Sequence, residues 1–180
     1  MKLSLFVCLC CAAFAVPASA QWVKGVHYIG ARIGLSYVGN AITPALDYEY
    51  ALTKPDEAGP GTVGIGASIE RYAQSTSVTT VSIKTETNTS HLGFSVYGTY
   101  HLGNLLDDKR MDPYILFGLY ALRNTGSVTI NGRDSEYTPS TNVDVMGAAG
   151  FRYFFTRQLA GHIRAGFGLS TFSAGITYGL

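Results

Sequence analysis

Seven ionisable side chains stand where they could act together: Arg32, Arg152 and Arg164 among the bases, Asp47, Glu49, Glu70 and Asp144 among the acids. Each sits in a run where small or polar residues alternate with large apolar ones, and each falls on the polar side of its run. An unpaired charge withdrawn from water costs on the order of several kcal/mol, so opposite charges sharing an enclosed face should pair. The chemistry to expect is electrostatic: a salt-bridged cluster centred on Arg32, Glu49, Glu70 and Arg164, with Asp47, Asp144 and Arg152 on the same face. Catalysis finds no comparable support. Nucleophile and base must lie within hydrogen-bond reach, yet His27, His91, His101 and His162 are scattered with no evident partner. The same scatter speaks against a metal site, and no cofactor is expected. Gly64-x-Gly66 and Gly166-x-Gly168 repeat with the period of a strand and precede no helix, unlike a phosphate-cradling turn.

The elements that must position these residues follow a period of two, in which successive side chains point to opposite faces. Eight segments can be written with consistent parity: 26–38, 45–52, 62–72, 91–102, 114–123, 142–155, 158–169 and the last residues to 180. In the first, Ile29, Ala31, Ile33, Leu35 and Tyr37 oppose Tyr28, Gly30, Arg32, Gly34 and Ser36. The fifth is ambiguous, because Ile115, Phe117, Leu119 and Ala121 are no more apolar than Leu116, Tyr120 and Leu122; Gly118 favours the second set as interior. The last is the cleanest: Phe172, Ala174, Ile176, Tyr178 and Leu180 alternate with Ser173, Gly175, Thr177 and Gly179. No helix is expected, and nothing is left over for a second domain.

Lys2, the apolar run 3–16 and Ala18-Ser19-Ala20 read as a secretory signal peptide over residues 1–20, with the mature domain at 21–180. That run is shorter than the roughly 20 residues of a spanning helix. Cys8, Cys10 and Cys11 all fall within it, so the mature chain is expected to form no disulfide. Charged residues are only 14% of the chain, against about 25% in soluble domains. With Lys2 removed the formal charges balance, which argues against a nucleic-acid partner.

Periodicity allows two sheets: one closed around its apolar face in water, the other turned inside out in lipid. Glycine on the polar faces, the shortage of Lys and Glu, and aromatic residues at strand ends favour the second. Tyr37, Phe94, Phe167 and Phe172 would mark one interface and Tyr50, Tyr100, Tyr153, Phe155 and Tyr178 the other, as girdles at headgroup level. Short turns near 53–61, 103–113 and 156–158 lie on one side; the longer, Ser/Thr-rich loops 73–90 and 124–141 lie on the other, where the runs Ser77-Val-Thr-Thr-Val-Ser-Ile-Lys84 and Ser127-Val-Thr-Ile130 could prolong the strands as an exposed β-ribbon or remain solvated loops.

The runs Tyr28-Ile-Gly-Ala-Arg-Ile-Gly34, Val96-Tyr-Gly-Thr-Tyr-His-Leu102, Asp112-Pro-Tyr114, Gly147-Ala-Ala-Gly-Phe-Arg-Tyr-Phe-Phe155 and the terminal strand carry a resemblance to the small eight-stranded outer-membrane β-barrels. That group includes the OmpX-type proteins and the membrane domain of OmpA-type proteins. The resemblance implies an all-β, antiparallel up-and-down transmembrane barrel in the outer membrane of a diderm bacterium, monomeric, with both ends of the chain periplasmic. It implies outer-membrane lipid as surroundings and the barrel-insertion machinery as a partner, with Phe172, Ile176, Tyr178 and Leu180 as the insertion signal. Leu180 departs from the family's usual aromatic terminus, and no peptidoglycan-binding domain follows. Eight strands leave room only for filling side chains. A plugged polar lumen with a structural or loop-binding role is expected, not an enzyme. The alternatives are an adhesin or host-factor binder acting through 73–90 and 124–141, and a narrow gated ion pore.

Overall fold

The computed structural model describes residues 22–36, 41–80 and 83–180. The expected leader, its three cysteines and Tyr37 lie outside these residues. Nine antiparallel strands form one sheet: β1 (His27–Ser36), β2 (Ile42–Ala51), β3 (Thr62–Thr80), β4 (Ile83–His101), β5 (Met111–Ile130), β6 (Arg133–Glu136), β7 (Ser140–Phe154), β8 (Leu159–Phe167) and β9 (Ser170–Gly179). All but β6 pair in a closed ring, sealed by β1 against β9 and by β4 against β5.

The ring is strongly staggered. Stepping across paired residues from Asp112 leads through Arg152, His162, Gly175, Arg32, Ala45, Glu70 and Gly93, and returns to β5 at Leu122, ten residues beyond the start. For eight strands such a stagger corresponds to a tilt of about 40–45° and an interior filled by side chains. Residues that share a depth therefore sit at very different positions along their strands.

The alternation read from the sequence resolves as apolar outside and polar inside. Ile33, Leu46, Ile65, Val96, Phe117, Val145 and Ile176 are exposed on the outer wall, whereas Arg32, Asp47, Glu49, Ser68, Thr99, Arg152 and Arg164 are buried within. A closed ring has no free edge inside the bilayer, so every backbone group of the wall can be paired there. The ambiguous fifth segment is settled the same way: Tyr114 and Leu116 are buried while Ile115, Phe117 and Leu119 are exposed.

Strand boundaries depart from the sequence reading in two places. β2 begins at Ile42 and contains Pro44, which pairs with Ile33 on one side; pairing with β3 starts only at Ala45, so the missing N–H falls on a free edge. The segments expected as loops 73–90 and 124–141 are largely strand. β3 and β4 stay paired up to Thr80 and Ile83, β4 and β5 up to Thr85 and Ile130, and β6 adds a short fourth strand. Together they rise from one end of the barrel as a ribbon. The opposite end carries the short connections and the residues from Trp22 to Val26.

Candidate functional site

The inner face holds two ion clusters. In the one nearer the ribbon, the Arg32 guanidinium donates to Asp47 (Nε to Oδ2, 3.0 Å) and to Glu70, and Ser170 Oγ donates to Glu70 Oε2 at 2.7 Å. Arg164 approaches Asp47 from the other side, Nη1 to Oδ1 at 3.8 Å, with its guanidinium over the Tyr97 ring at 5.5 Å. In the second cluster Arg152 Nη2 donates to Glu49 Oε2 at 2.7 Å. The His101 ring lies between two carboxylates, with Nδ1 2.7 Å from Asp112 Oδ2 and Nε2 3.1 Å from Glu49 Oε1. Among the described residues Arg152 is the largest side chain that is fully buried.

Six of the seven ionisable residues singled out in the sequence thus meet inside the barrel, but in a different grouping from the expected one. Arg32 and Glu70 share a cluster, and Arg164 joins it through Asp47. Glu49 belongs to the other cluster and pairs with Arg152. Asp144 joins neither: it is exposed, and its carboxylate accepts the Val145 N–H at 2.7 Å. The reason lies in the wall. β7 pairs with β8 only from Gly147 onward, so Asp144 stands where that wall has ended and water replaces a cationic partner.

Asp112, noted above only within the Asp112-Pro-Tyr114 run, and Trp22, which carries no signal in the sequence, both prove central. Trp22 stacks on His101 (centroids 3.7 Å) and on Tyr28 (4.5 Å), and the Arg152 guanidinium lies 5.1 Å from its ring. It closes the end of the barrel opposite the ribbon. Asp112, His101 and Thr99 also form a line, with His101 Nε2 3.0 Å from Thr99 Oγ1. All three are buried, His101 is 0% exposed, Trp22 covers the ring, and Glu49 shares the same nitrogen. The Thr99 hydroxyl is thus enclosed among these side chains.

Two tyrosines explain some of the inward glycines. A Cβ on Gly66 would run into the Tyr97 ring, 2.7 Å from Cζ, and one on Gly150 into the Tyr114 ring, 2.7 Å from Cε1. Only glycine lets these rings lie across the neighbouring strand, where they support the arginines.

The Trp22 segment is held by backbone bonds, Gly25 N–H to Ala51 O and Ala51 N–H to Val26 O, and by Lys24, whose Nζ is 2.9 Å from Glu57 Oε2. The Lys54 backbone N–H, then Lys24, hold the Glu57 carboxyl below the usual carboxylate range. A depressed folded-state value gives stability that is present above the unfolded value and lost as pH falls through the folded one. Trp22 is the sole tryptophan. Its access to a neutral quencher should rise as pH drops below about 4, and this pH dependence should be weaker in Glu57→Gln, as a fluorescence titration would read.

On the outer wall, β9 presents Phe172, Ile176 and Tyr178, and Leu180 follows just past its end, all exposed. Tyr50, Tyr100, Tyr153, Phe155 and Tyr178 gather at the end with the short turns. There the Tyr100 hydroxyl accepts the Gly61 N–H at 2.8 Å and the Tyr178 hydroxyl donates to Gln158 at 2.9 Å. Among the described residues no helix is long and apolar enough to cross a membrane, which has no bearing on a barrel that crosses with strands.

The N-terminal β-barrel domain of OprF from Pseudomonas aeruginosa superimposes with a TM-score of 0.57 at 20% identity, over 87% of this chain and 98% of that one. A designed transmembrane β-barrel gives 0.51 at 15% identity, over 88% and 98%. Ail, the attachment invasion locus protein of Yersinia pestis, solved with the heparin analogue sucrose octasulfate, gives 0.50 at 10% identity, over 87% and 96%. These likenesses concern the fold. None of the curated proteins matches the sequence. The model of the outer membrane protein beta-barrel domain matches residues 6–178, the greater part of the chain, and the protein belongs to that family of outer-membrane barrels.

Proposed function

We propose that this outer-membrane barrel is closed and non-catalytic, and that its work is done by the ribbon, carried on the cell surface with the short turns and both ends of the barrel facing the periplasm. The length of β3, β4 and β5 supports this role: they run for 19, 19 and 20 residues, where a tilted strand needs about 9–11 to cross a bilayer. β3 loses its β2 partner after Glu70, so 71–80 continue for roughly 30 Å with one edge unpaired. Along the face continuous with the lumen, Val78, Ile83, Ile130 and Tyr137 are exposed. An unpaired edge beside apolar side chains suits the addition of a partner's strand. Residues 1–20 act as the export leader in this reading, and the outward residues of β9 address the chain to the insertion machinery.

The two ion clusters and Trp22 favour a plugged lumen over the ion-pore alternative. In planar bilayers the purified barrel should give no conductance steps above background. Deleting 77–87 should abolish adhesion to host cells or matrix while leaving heat-modifiable gel migration unchanged. Stable unitary steps, or adhesion that survives the deletion, would reject the respective half of the proposal. Labelling of Thr129→Cys by a membrane-impermeant reagent on intact cells tests the orientation separately.

A further inference from the structure

Arg71 and Arg123 stand on the outer wall, both exposed, at the level where the apolar belt gives way to the polar ribbon. They flank Leu92, with Arg71 paired to Leu92 and Leu92 to Arg123, so their backbones lie two strand spacings apart, about 10 Å. Toward the bilayer the next outward residues are Ile69, Phe94 and Ala121; toward the ribbon they are Ala73, Ser90 and Thr125. Of the other cations toward this end, Lys84 is engaged by Glu86 and Arg32 by Asp47 and Glu70, while Arg133 stands farther out on the ribbon in β6. Neither Arg71 nor Arg123 has an ion-pair partner among the described residues.

Beside Arg71 the outer wall is indented by an open, largely apolar groove of about 590 Å³, lined by Ala31, Pro44, Ala174, Ile69 and Leu92, with Arg71 at its rim. The stagger sets its course. A ten-residue offset per circuit means that each step from β9 through β1, β2 and β3 to β4 climbs toward the ribbon, so the groove ascends from mid-wall to the arginines. An acyl chain laid in it would bring its headgroup against two guanidinium groups. Guanidinium binds phosphate through two parallel hydrogen bonds, and at the edge of the belt an outward arginine costs little.

We infer that this face is a site for a phosphorylated, acylated saccharide lipid, with Arg71 and Arg123 on the phosphate and an acyl chain in the groove at Ala31, Pro44 and Ala174. Under the orientation proposed above, that lipid is the phosphorylated glycolipid of the outer leaflet. The phosphate recognition itself depends only on the wall.

The test uses the full barrel in zwitterionic micelles, titrated with bisphosphorylated lipid A, with the same lipid stripped of phosphate, and with phosphatidylglycerol, and read by native mass spectrometry. The wild type should retain bisphosphorylated lipid A about tenfold more tightly than the stripped form, the Arg71→Gln/Arg123→Gln variant should lose that preference, and Ala174→Phe, which fills the groove, should weaken retention about as much. Both arginines lie outside the barrel, and heat-modifiable migration verifies that each variant is folded. Equal retention of stripped and phosphorylated lipid, a double variant or Ala174→Phe indistinguishable from wild type, or phosphatidylglycerol held as tightly as lipid A, would each overturn the site. Micelles have no sidedness, so failure here leaves the orientation standing, and failure of the surface labelling leaves the phosphate site standing.

Discussion

Glu49→Gln should lower the unfolding free energy of the barrel by about 3–5 kcal/mol, the cost of removing one partner from a buried ion pair. The carboxylate that is lost serves Arg152 at 2.7 Å and His101 at 3.1 Å, and both partners are buried. Asp112 replaces it poorly for the arginine, because its nearest approach, Oδ2 to Arg152 Nη1, is 3.9 Å and that oxygen is already committed to His101. The arginine cannot swing out, since Trp22, Tyr28 and Tyr114 surround its guanidinium at 5.1–5.5 Å. The magnitude belongs to the stranded cation and not to the pair, which makes a second variant decisive. Glu49→Gln combined with Arg152→Met removes both charges and should recover much of the loss. Urea-induced unfolding in lipid vesicles, followed by Trp22 fluorescence, measures both. If the double variant is as unstable as the sum of its single changes, the two residues are not coupled and the cluster is misassigned.

That pairing marks the limit of what the sequence discloses. The inward parity of Arg32, Asp47, Glu49, Glu70, Arg152 and Arg164 is legible because each strand carries its own period-two record. Which of them meet is not, because depth in the barrel depends on a stagger accumulated over the whole ring. Glu49 and Arg152 are 103 positions apart and come together only through the ten-residue offset. Asp144 shows the converse: its parity is right, but its partner strand has already ended. The ribbon was half visible. Ser77-Val-Thr-Thr and Ser127-Val-Thr-Ile130 have strand-forming residues, yet both faces are wet above the membrane, so no apolar alternation separates strand from loop. Trp22 gave no signal at all, because it lies before the first strand and acts through its ring.

The apolar alternation also makes a depth-dependent prediction, with the largest effect at the middle of the belt. Val96 lies midway along the outward row Leu92, Phe94, Val96, Gly98 and Tyr100 of β4, and is 60% exposed. Val96→Arg should destabilise the barrel in bilayers by about 2–4 kcal/mol, whereas Leu92→Arg, at the level of Arg71 and Arg123, should cost about 0–1 kcal/mol. The two substitutions place the same charge on the same strand and face, four residues apart, so propensity largely cancels in the comparison, while repulsion of Leu92→Arg by Arg71 and Arg123 works against the expected difference. What remains is the change from hydrocarbon to headgroups, read as the difference between two urea titrations in the same vesicles. In a water-filled surrounding both arginines would be hydrated and the difference would vanish. Equal costs at Val96 and Leu92 would therefore mean that this face of the sheet does not look into lipid, and the outward reading of Ile33, Ile65 and Ile176 would fall with it.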